Sequence, residues 1–528
     1  MKKLLFILIA GVIVLNSCTD DFEDANINPY QISQESLRQD HNDIGSFYPK
    51  MLANIFGHQI EENLIAESFC NYMATPTPFV SGVNNTTYSI TWNTYWERIY
   101  NSLMAPAQQA MNTAQEQGEQ VFNEWAKLIR ILGISRLTTY HGPLIYSTYG
   151  EAESRYDSEE QLYTALFADL DDIQEVFAAN LEYEGIKNFD DVYEGKIAKW
   201  AKIVNSMRLR LAIRISKVAP ALAKAQGEKA IADAAGLITS SGDDFYIPLY
   251  GSQIYLAVIT GWDDTRMSAA MESILVGLKD ARIAQFFEAV SDESLVADHP
   301  EFPYKGVRAG GRMEAKSDHL PYSKMNPAIA GWEERPYLTS SEVYFDLAEA
   351  ALRGWEGAGD AQANYEAGVR ASFAQWGASG VDAYLADATS TPINYNDVVY
   401  DALDDGTVND FVTRSTVTVA WNEAASNEEK LEKIITQKWI AAFTNPNEPW
   451  ADFRRTGYPK LPHVYNNLSN ADWGIIPADE WIKRMPFVQD QRITNAAAIE
   501  TVEQTMNGTD LISTRLWWDT EAKDEVNF

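Results

Sequence analysis

The chain is nearly without cysteine: two occur in 528 residues, Cys18 and Cys70. That count rules out a disulfide framework and a four-cysteine zinc site. Histidine is scarce as well, six in all, and no H-E-x-x-H pair is present. Cations are short: 42 Lys and Arg face 75 Asp and Glu, for a net charge of −33. A nucleic-acid binder must set cations against phosphates, and a surface that clings to anionic lipid needs a basic face, so the balance argues against both. Beyond Leu15 no stretch approaches 18 uncharged apolar residues, which leaves no helical membrane span. A P-loop and a nucleophile elbow are also missing, and Gly306, Gly310 and Gly311 beside Lys305 and Arg308 do not form a phosphate cradle.

Apolar and aromatic residues are plentiful instead. Apolar types make up 46% of the chain, enough core material to reject wholesale disorder. Aromatics reach 12%, with 15 Trp and 26 Tyr. Lys2 and Lys3 precede an apolar run from Leu4 to Leu15. A helix of that length spans about 18 Å against a hydrocarbon core of about 30 Å, so the run reads as a signal peptide over residues 1–17. It ends at Leu15-Asn16-Ser17-Cys18, which resembles a bacterial lipobox with Asn16 where Ala or Ser is more usual. With no disulfide to make, Cys18 is expected to carry the lipid. The acidic stretch Asp20-Asp21-Phe22-Glu23-Asp24 opens a tether over 18–40 and resembles the surface-export signal of Bacteroidetes lipoproteins.

Helical periodicity dominates residues 41–528, which carry no linker and read as one domain. Helices are expected over Ile44–Tyr72, Phe122–Tyr140, Ser158–Ala179, Lys196–Val218, Glu228–Ile238, Asn364–Trp376 and Asn427–Phe443. Arg208, Arg210 and Arg214 are expected off the apolar stripe of theirs. Thr339-Ser340-Ser341-Glu342 resembles a capping box and opens a helix before the Gly354, Gly357 and Gly359 break. About four helix pairs of tetratricopeptide type can be counted, without a clean repeat. The expected class is therefore mainly α, a helix-pair scaffold with long irregular loops and minor β. The loops Met73–Tyr95, Asp243–Asn326 and Thr456–Phe528 are too long to be plain connectors.

No catalytic residue can be assigned. Acid pairs such as Asp171-Asp172 and Asp263-Asp264 are expected as solvated surface in so acidic a chain, although a glycosidase needs only two carboxylates about 5–9.5 Å apart. Asp243-Asp244 would suit Ca²⁺ with help from backbone carbonyls, but the spacing is generic and no metal or cofactor is expected. Aromatic rings are the better lead, because a flat ring covers the C–H face of a sugar while polar neighbours bond its hydroxyl rim. At helical spacing, as for Trp96 and Trp200, a ring is more often core. Trp92 and Trp262 stand in polar, loop-like surroundings and are the leading candidates, with Tyr72, Tyr304 and Trp332 as further ligand contacts.

Several segments resemble the SusD/RagB family of outer-membrane nutrient-binding lipoproteins, in its SusD-like branch. They are Phe22 to Pro29, Arg136 to Ser147, Lys199-Trp200-Ala201-Lys202-Ile203-Val204-Asn205-Ser206-Met207-Arg208-Leu209-Arg210, Ser341 to Ala350, Tyr365 to Ser372, Ile435 to Trp439, Glu448-Pro449-Trp450-Ala451-Asp452-Phe453-Arg454-Arg455-Thr456-Gly457-Tyr458-Pro459, and Arg515 to Asp519. His141 stands where Tyr is usual and Ile145 where Pro is common. The resemblance implies a tetratricopeptide-like scaffold with ligand loops, pairing with a SusC-like TonB-dependent outer-membrane barrel, and capture without catalysis of an oligosaccharide. Peptide capture, a glycoside hydrolase and a pure protein scaffold are the alternatives. It also implies that Trp439, Trp450, Arg454 and Arg455 serve packing and buried ion pairing.

Overall fold

The computed structural model describes residues 34–520 apart from 58, 76–84, 91–93, 252–254, 256, 264, 312–315 and 399–408. Cys18, the signal peptide and most of the tether lie outside that range. Helices predominate: α1 (Ala105–Gln117), α2 (Gln120–His141), α3 (Glu159–Ala179), α4 (Ile197–Arg214), α5 (Pro220–Ala232), α6 (Ser340–Leu352), α7 (Ala361–Gln375), α8 (Asn427–Ala441) and α9 (Asn447–Thr456). Neighbours in sequence pack as pairs, α1 on α2, α3 on α4 and α6 on α7, and the pairs are joined by α4 against α6 and α6 against α8. Two small antiparallel sheets complete the body, Met73–Ala74 with Arg266–Met267 and Phe245–Pro248 with Glu334–Leu338. No helix among the described residues is long and apolar enough to cross a membrane.

Helix starts follow local chemistry. Ser158 accepts from the Gln161 N–H while Gln161 returns a bond to the Ser158 N–H, and Ser426 and Glu429 do the same for α8. Asp360 caps α7 through the Ala363 N–H at 2.8 Å. The box expected at Thr339 does not form: the Ser340 N–H donates instead to Asp244 Oδ1 at 2.6 Å, so a distant loop caps α6. The helix expected from Glu228 to Ile238 begins earlier, at Pro220, whose fixed φ suits the first turn, and ends at Ala232. Ile44–Tyr72 is not one helix. Pro49 restarts the chain at Tyr48–Ala53, and Glu62–Glu67 is π-helical, with every one of its residues buried.

Trp125, Trp200, Trp439, Trp450 and Trp518 are fully buried, and one apolar cluster runs through all the helix pairs. Cations and acids are buried alongside them. Arg208, Arg210 and Arg214, expected off the apolar stripe, are all buried. Arg208 meets Asp171 at 2.5 Å, Arg210 grips Glu342 at 2.6 and 2.8 Å, and Arg214 pairs with Glu448. Arg455 holds Glu349 at 2.6 and 2.8 Å, and Lys438 joins Asp346 at 2.6 Å to Asp452 at 2.9 Å. The two bidentate pairs fix direction as well as distance and tie α4 to α6 and α6 to α9, while Lys438 ties α8 to both α6 and α9.

Candidate functional site

A two-residue ladder organises the loop face. Met73 pairs with Met267 and Ala74 with Arg266, which sets these two parts of the chain side by side at the ladder. Further loops join them: Ser268 bridges Val307, Tyr395 bridges Phe411, and the Tyr465 and Asn466 N–H groups donate to Ala309 and Gly310 carbonyls. Arg308 anchors this corner by donating to the His463 carbonyl at 2.6 Å and stacking 4.7 Å over Phe411.

Trp262 closes the π-helical turn Ala257–Trp262 and is 59% exposed as a residue. The next residue, Asp263, takes a left-handed φ of 47° and binds Arg266 at 2.9 Å. Arg266 is buried and donates at 2.8 Å to the Thr265 carbonyl. The Asp263–Arg266 pair ties the turn after Trp262 to a buried guanidinium, while Trp262 itself stays largely exposed, which suits a flat ring that meets another flat surface.

A second aromatic locus lies at the Phe245–Pro248 and Glu334–Leu338 sheet. Trp332 follows a short 3₁₀ turn, Pro327–Gly331, that packs against Ala257–Trp262. Its ring sits 5.5 Å from that of Trp376, the residue that ends α7. Trp376 is wedged 4.6 Å from Phe286. Together with Tyr246, Glu333, Glu334 and Gln375, the two indoles line a cavity of about 280 Å³.

The five ring candidates therefore part company. Tyr72 is fully buried, with its hydroxyl donating to the Trp439 carbonyl, so it is a core ring and not a platform. Tyr304 is buried as well. Trp262 is exposed, Trp332 is half-buried at a cavity, and Trp92 lies outside the described residues. Sequence reasoning missed Trp376 and Tyr246, which the tertiary fold alone brings to Trp332. It also missed Tyr465, a half-exposed residue whose backbone N–H donates to the Ala309 carbonyl. The one signal for Tyr465 was its place in a Pro- and Asn-rich stretch.

Acid pairs are engaged in structure. Asp171 is shared by Arg208 and Lys229. Asp243 binds Lys202 at 2.6 Å, and burial pushes the Asp244 carboxyl up to about 6. Among the described residues no three or more His, Cys, Asp or Glu gather as a metal site. A larger cavity of about 360 Å³, near Arg414, Glu428, Glu432, Tyr458, Lys460 and Trp481, contains the pairs Lys460–Glu432 at 2.8 Å and Tyr458–Glu428 at 2.5 Å.

The family model for SusD-like proteins, described as Susd and RagB outer membrane lipoprotein, matches residues 24–519. The chain belongs to the SusD-like family. A chitin-binding SusD homologue from Flavobacterium johnsoniae is 38% identical, with a TM-score of 0.84 over 92% of this chain and 100% of its own. SusD homologues from Bacteroides uniformis and Bacteroides vulgatus are 32% and 31% identical, each with a TM-score of 0.82, over 91% and 92% of this chain and 99% and 100% of theirs. A comparison with curated protein sequences gives no match.

In this SusD-like chain the most family-specific stretch, Glu448 to Pro459, is scaffold. Trp450 is buried under the Arg454 guanidinium at 3.6 Å. Arg454 donates to the Thr139 and Lys483 carbonyls at 2.7 and 2.8 Å, and Arg455 makes the ion pairs described above. Trp450, Arg454 and Arg455 thus make their contacts within the fold.

Proposed function

We propose that the protein is a non-catalytic, cell-surface glycan-binding lipoprotein. It is anchored through Cys18 after loss of residues 1–17, and residues 18–40 tether a single domain, 41–528, to the outer membrane facing the exterior. It captures oligosaccharide and passes it to a SusC-like TonB-dependent barrel. The observation that supports the reading is the exposure of Trp262, beside the Asp263–Arg266 pair, in a chain similar along its length to a chitin-binding SusD homologue. The chitin-binding homologue makes N-acetylglucosamine oligomers the first ligands to try.

Calorimetry with chitin, cellulose and α-glucan oligomers and a mixed peptide pool tests the reading. A glycan is expected to bind, and Trp262→Ala is expected to weaken it about tenfold, the scale of one lost aromatic contact. Because that ring is exposed, the melting temperature should not move. Binding of peptide and no glycan would replace the glycan by a peptide ligand, and shortened sugars after long incubation would overturn the non-catalytic part.

A further inference from the structure

The cavity beside Trp332 is walled by rings and carries charge of one sign. The Trp332 indole is half-buried there, backed by Trp376 at 5.5 Å, and Tyr246 forms another wall. The strand register brings an acid to Tyr246. Tyr246 pairs with Pro336, Ile247 with Arg335 and Pro248 with Glu334. Successive strand residues point to opposite faces, so Tyr246, Pro248 and Glu334 share one face while Ile247 and Arg335 share the other. Burial agrees: Ile247 and Arg335 are core, Tyr246 and Pro248 are half-buried, and Glu334 is exposed. Tyr246 and Glu334 are thus diagonal neighbours across the ladder, within reach of long side chains. After burial and Asp244, the Glu334 carboxylate helps to push the Tyr246 hydroxyl pKa up, so its charge is felt at that ring. Glu333 stands one step earlier, its carbonyl held by the Leu249 N–H at 2.8 Å, and is exposed at the same cavity. No Lys, Arg or His is among the lining residues. The cation next in sequence, Arg335, is committed inward to Glu62 and the Thr444 carbonyl. A hollow of flat rings edged by acid attracts a cation with apolar flanks, because the ring faces are negative and the carboxylates add charge. A hard metal ion fits poorly, since it asks for six or more oxygens and indoles supply none. A primary ammonium fits, because it donates to carboxylates while resting on a ring. At about 280 Å³ the space lies just below the range of whole-ligand pockets and suits one sugar unit. The turn Pro327–Gly331, which leads into Trp332, packs against Ala257–Trp262, so the cavity adjoins the turn that bears Trp262.

We infer that this cavity is a subsite for the ammonium of an amino sugar, a hexosamine unit whose amine is free, held on Trp332 and Tyr246 and neutralised by Glu333 and Glu334. The inference rests on the glycan reading above and adds a charge preference to it. A lysine side chain carries the same ammonium and is the competing occupant. The sugar is favoured because the cavity adjoins the ring proposed to hold glycan.

The test is calorimetry on the full mature chain with N-acetylglucosamine tetramer, the same tetramer with one amine freed, cellotetraose and the peptide Gly-Gly-Lys-Gly. A single free amine is used because a polycation would be drawn to any part of so acidic a chain. The wild type is expected to favour the one-amine tetramer about tenfold over the other two sugars, and the preference should shrink at high salt. Glu333→Gln combined with Glu334→Gln should remove the preference, and its melting curve should match that of the wild type because both acids are exposed. Trp332→Leu should remove part of it, which simple charge attraction would not. Glu151→Gln combined with Glu153→Gln takes the same charge from another exposed segment and should leave the preference intact. An equal loss in that control would reduce the effect to general surface charge and overturn the subsite. Sugars that bind without an amine preference, or with one that Glu333→Gln and Glu334→Gln leave unaltered, would overturn it while the glycan reading stands. Binding of the lysine peptide and of no sugar, dependent on the same two acids, would give the cavity to peptide and sink the glycan reading as well. Binding of none of the four ligands would sink both readings together.

Discussion

Glu62→Leu should destabilise the protein by about 3–5 kcal/mol, the cost of leaving buried charge without its partner. Glu62 is fully buried and serves two guanidiniums at once, Arg136 at 2.8 and 3.1 Å and Arg335 at 3.1 Å. It also accepts from the Gly57 N–H at 2.9 Å. Phe56 stands under both cations, 4.8 Å from Arg136 and 4.3 Å from Arg335. The nearby carboxyl, Glu67, offers little relief, because burial pushes its pKa up, whereas the cations hold that of Glu62 down against the same burial. Three parts of the chain meet here, the π-helical turn, α2 and the Glu334–Leu338 strand, so the loss is felt by the whole body. Glu62→Gln keeps hydrogen-bonding capacity without the charge and should fall between wild type and the Leu variant. Guanidinium-chloride unfolding reads the difference; a loss below about 1 kcal/mol would show that the cluster is worth no more than a surface pair.

Histidine 141 should make the protein weaker in mild acid. It is buried where α2 ends, beside the Pro486 carbonyl at 2.9 Å, and burial together with the Arg484 guanidinium lowers its pKa from 6.5 to about 3. The folded state thus keeps the ring neutral while the unfolded chain accepts a proton. This contribution is fully present above pH 6.5 and is lost as pH falls toward 3. At about 1.4 kcal/mol per unit, the loss between pH 6.5 and 5 is about 2 kcal/mol. Glu159 works the other way: burial raises it to about 7, so its contribution is present below its usual 4.5 and fades as pH rises through 7. The clean measurement is therefore the difference between wild type and His141→Gln at pH 7.5 and at pH 5, in which Glu159 cancels. That difference should shift by about 2 kcal/mol in the variant's favour on acidification. A difference that does not change with pH would mean that the ring is protonated in place.

Much of the scaffold was legible because it obeys local rules. The helices 120–141, 159–179, 361–375 and 427–441 follow apolar period, and Ser158 and Ser426 announce their own starts. Legibility failed where distant groups overrode local ones. Asp244 displaced the Thr339 cap, and Glu62 turned inward to meet Arg136 and Arg335 within a helix that its periodicity would have made continuous. Arg210 and Arg214 were expected off the apolar stripe, yet both are buried against α6 and α9, so charge did not mean surface. The ring candidates divided for the same reason. Tyr72 and Trp262 look alike in sequence, but the chain carries one under Trp439 and ends a turn with the other. Trp376 drew no notice because nothing local tells that Trp332 and Tyr246 would arrive beside it.

The short ladder of Met73–Ala74 against Arg266–Met267 has a consequence for anyone altering ligand choice. Two segments nearly two hundred positions apart share one hinge pin, so lengthening either re-aims what the other presents. Grafting from another family member should then move both segments as a matched set, and exchanging one alone should disturb the ladder even when the helices beneath remain intact.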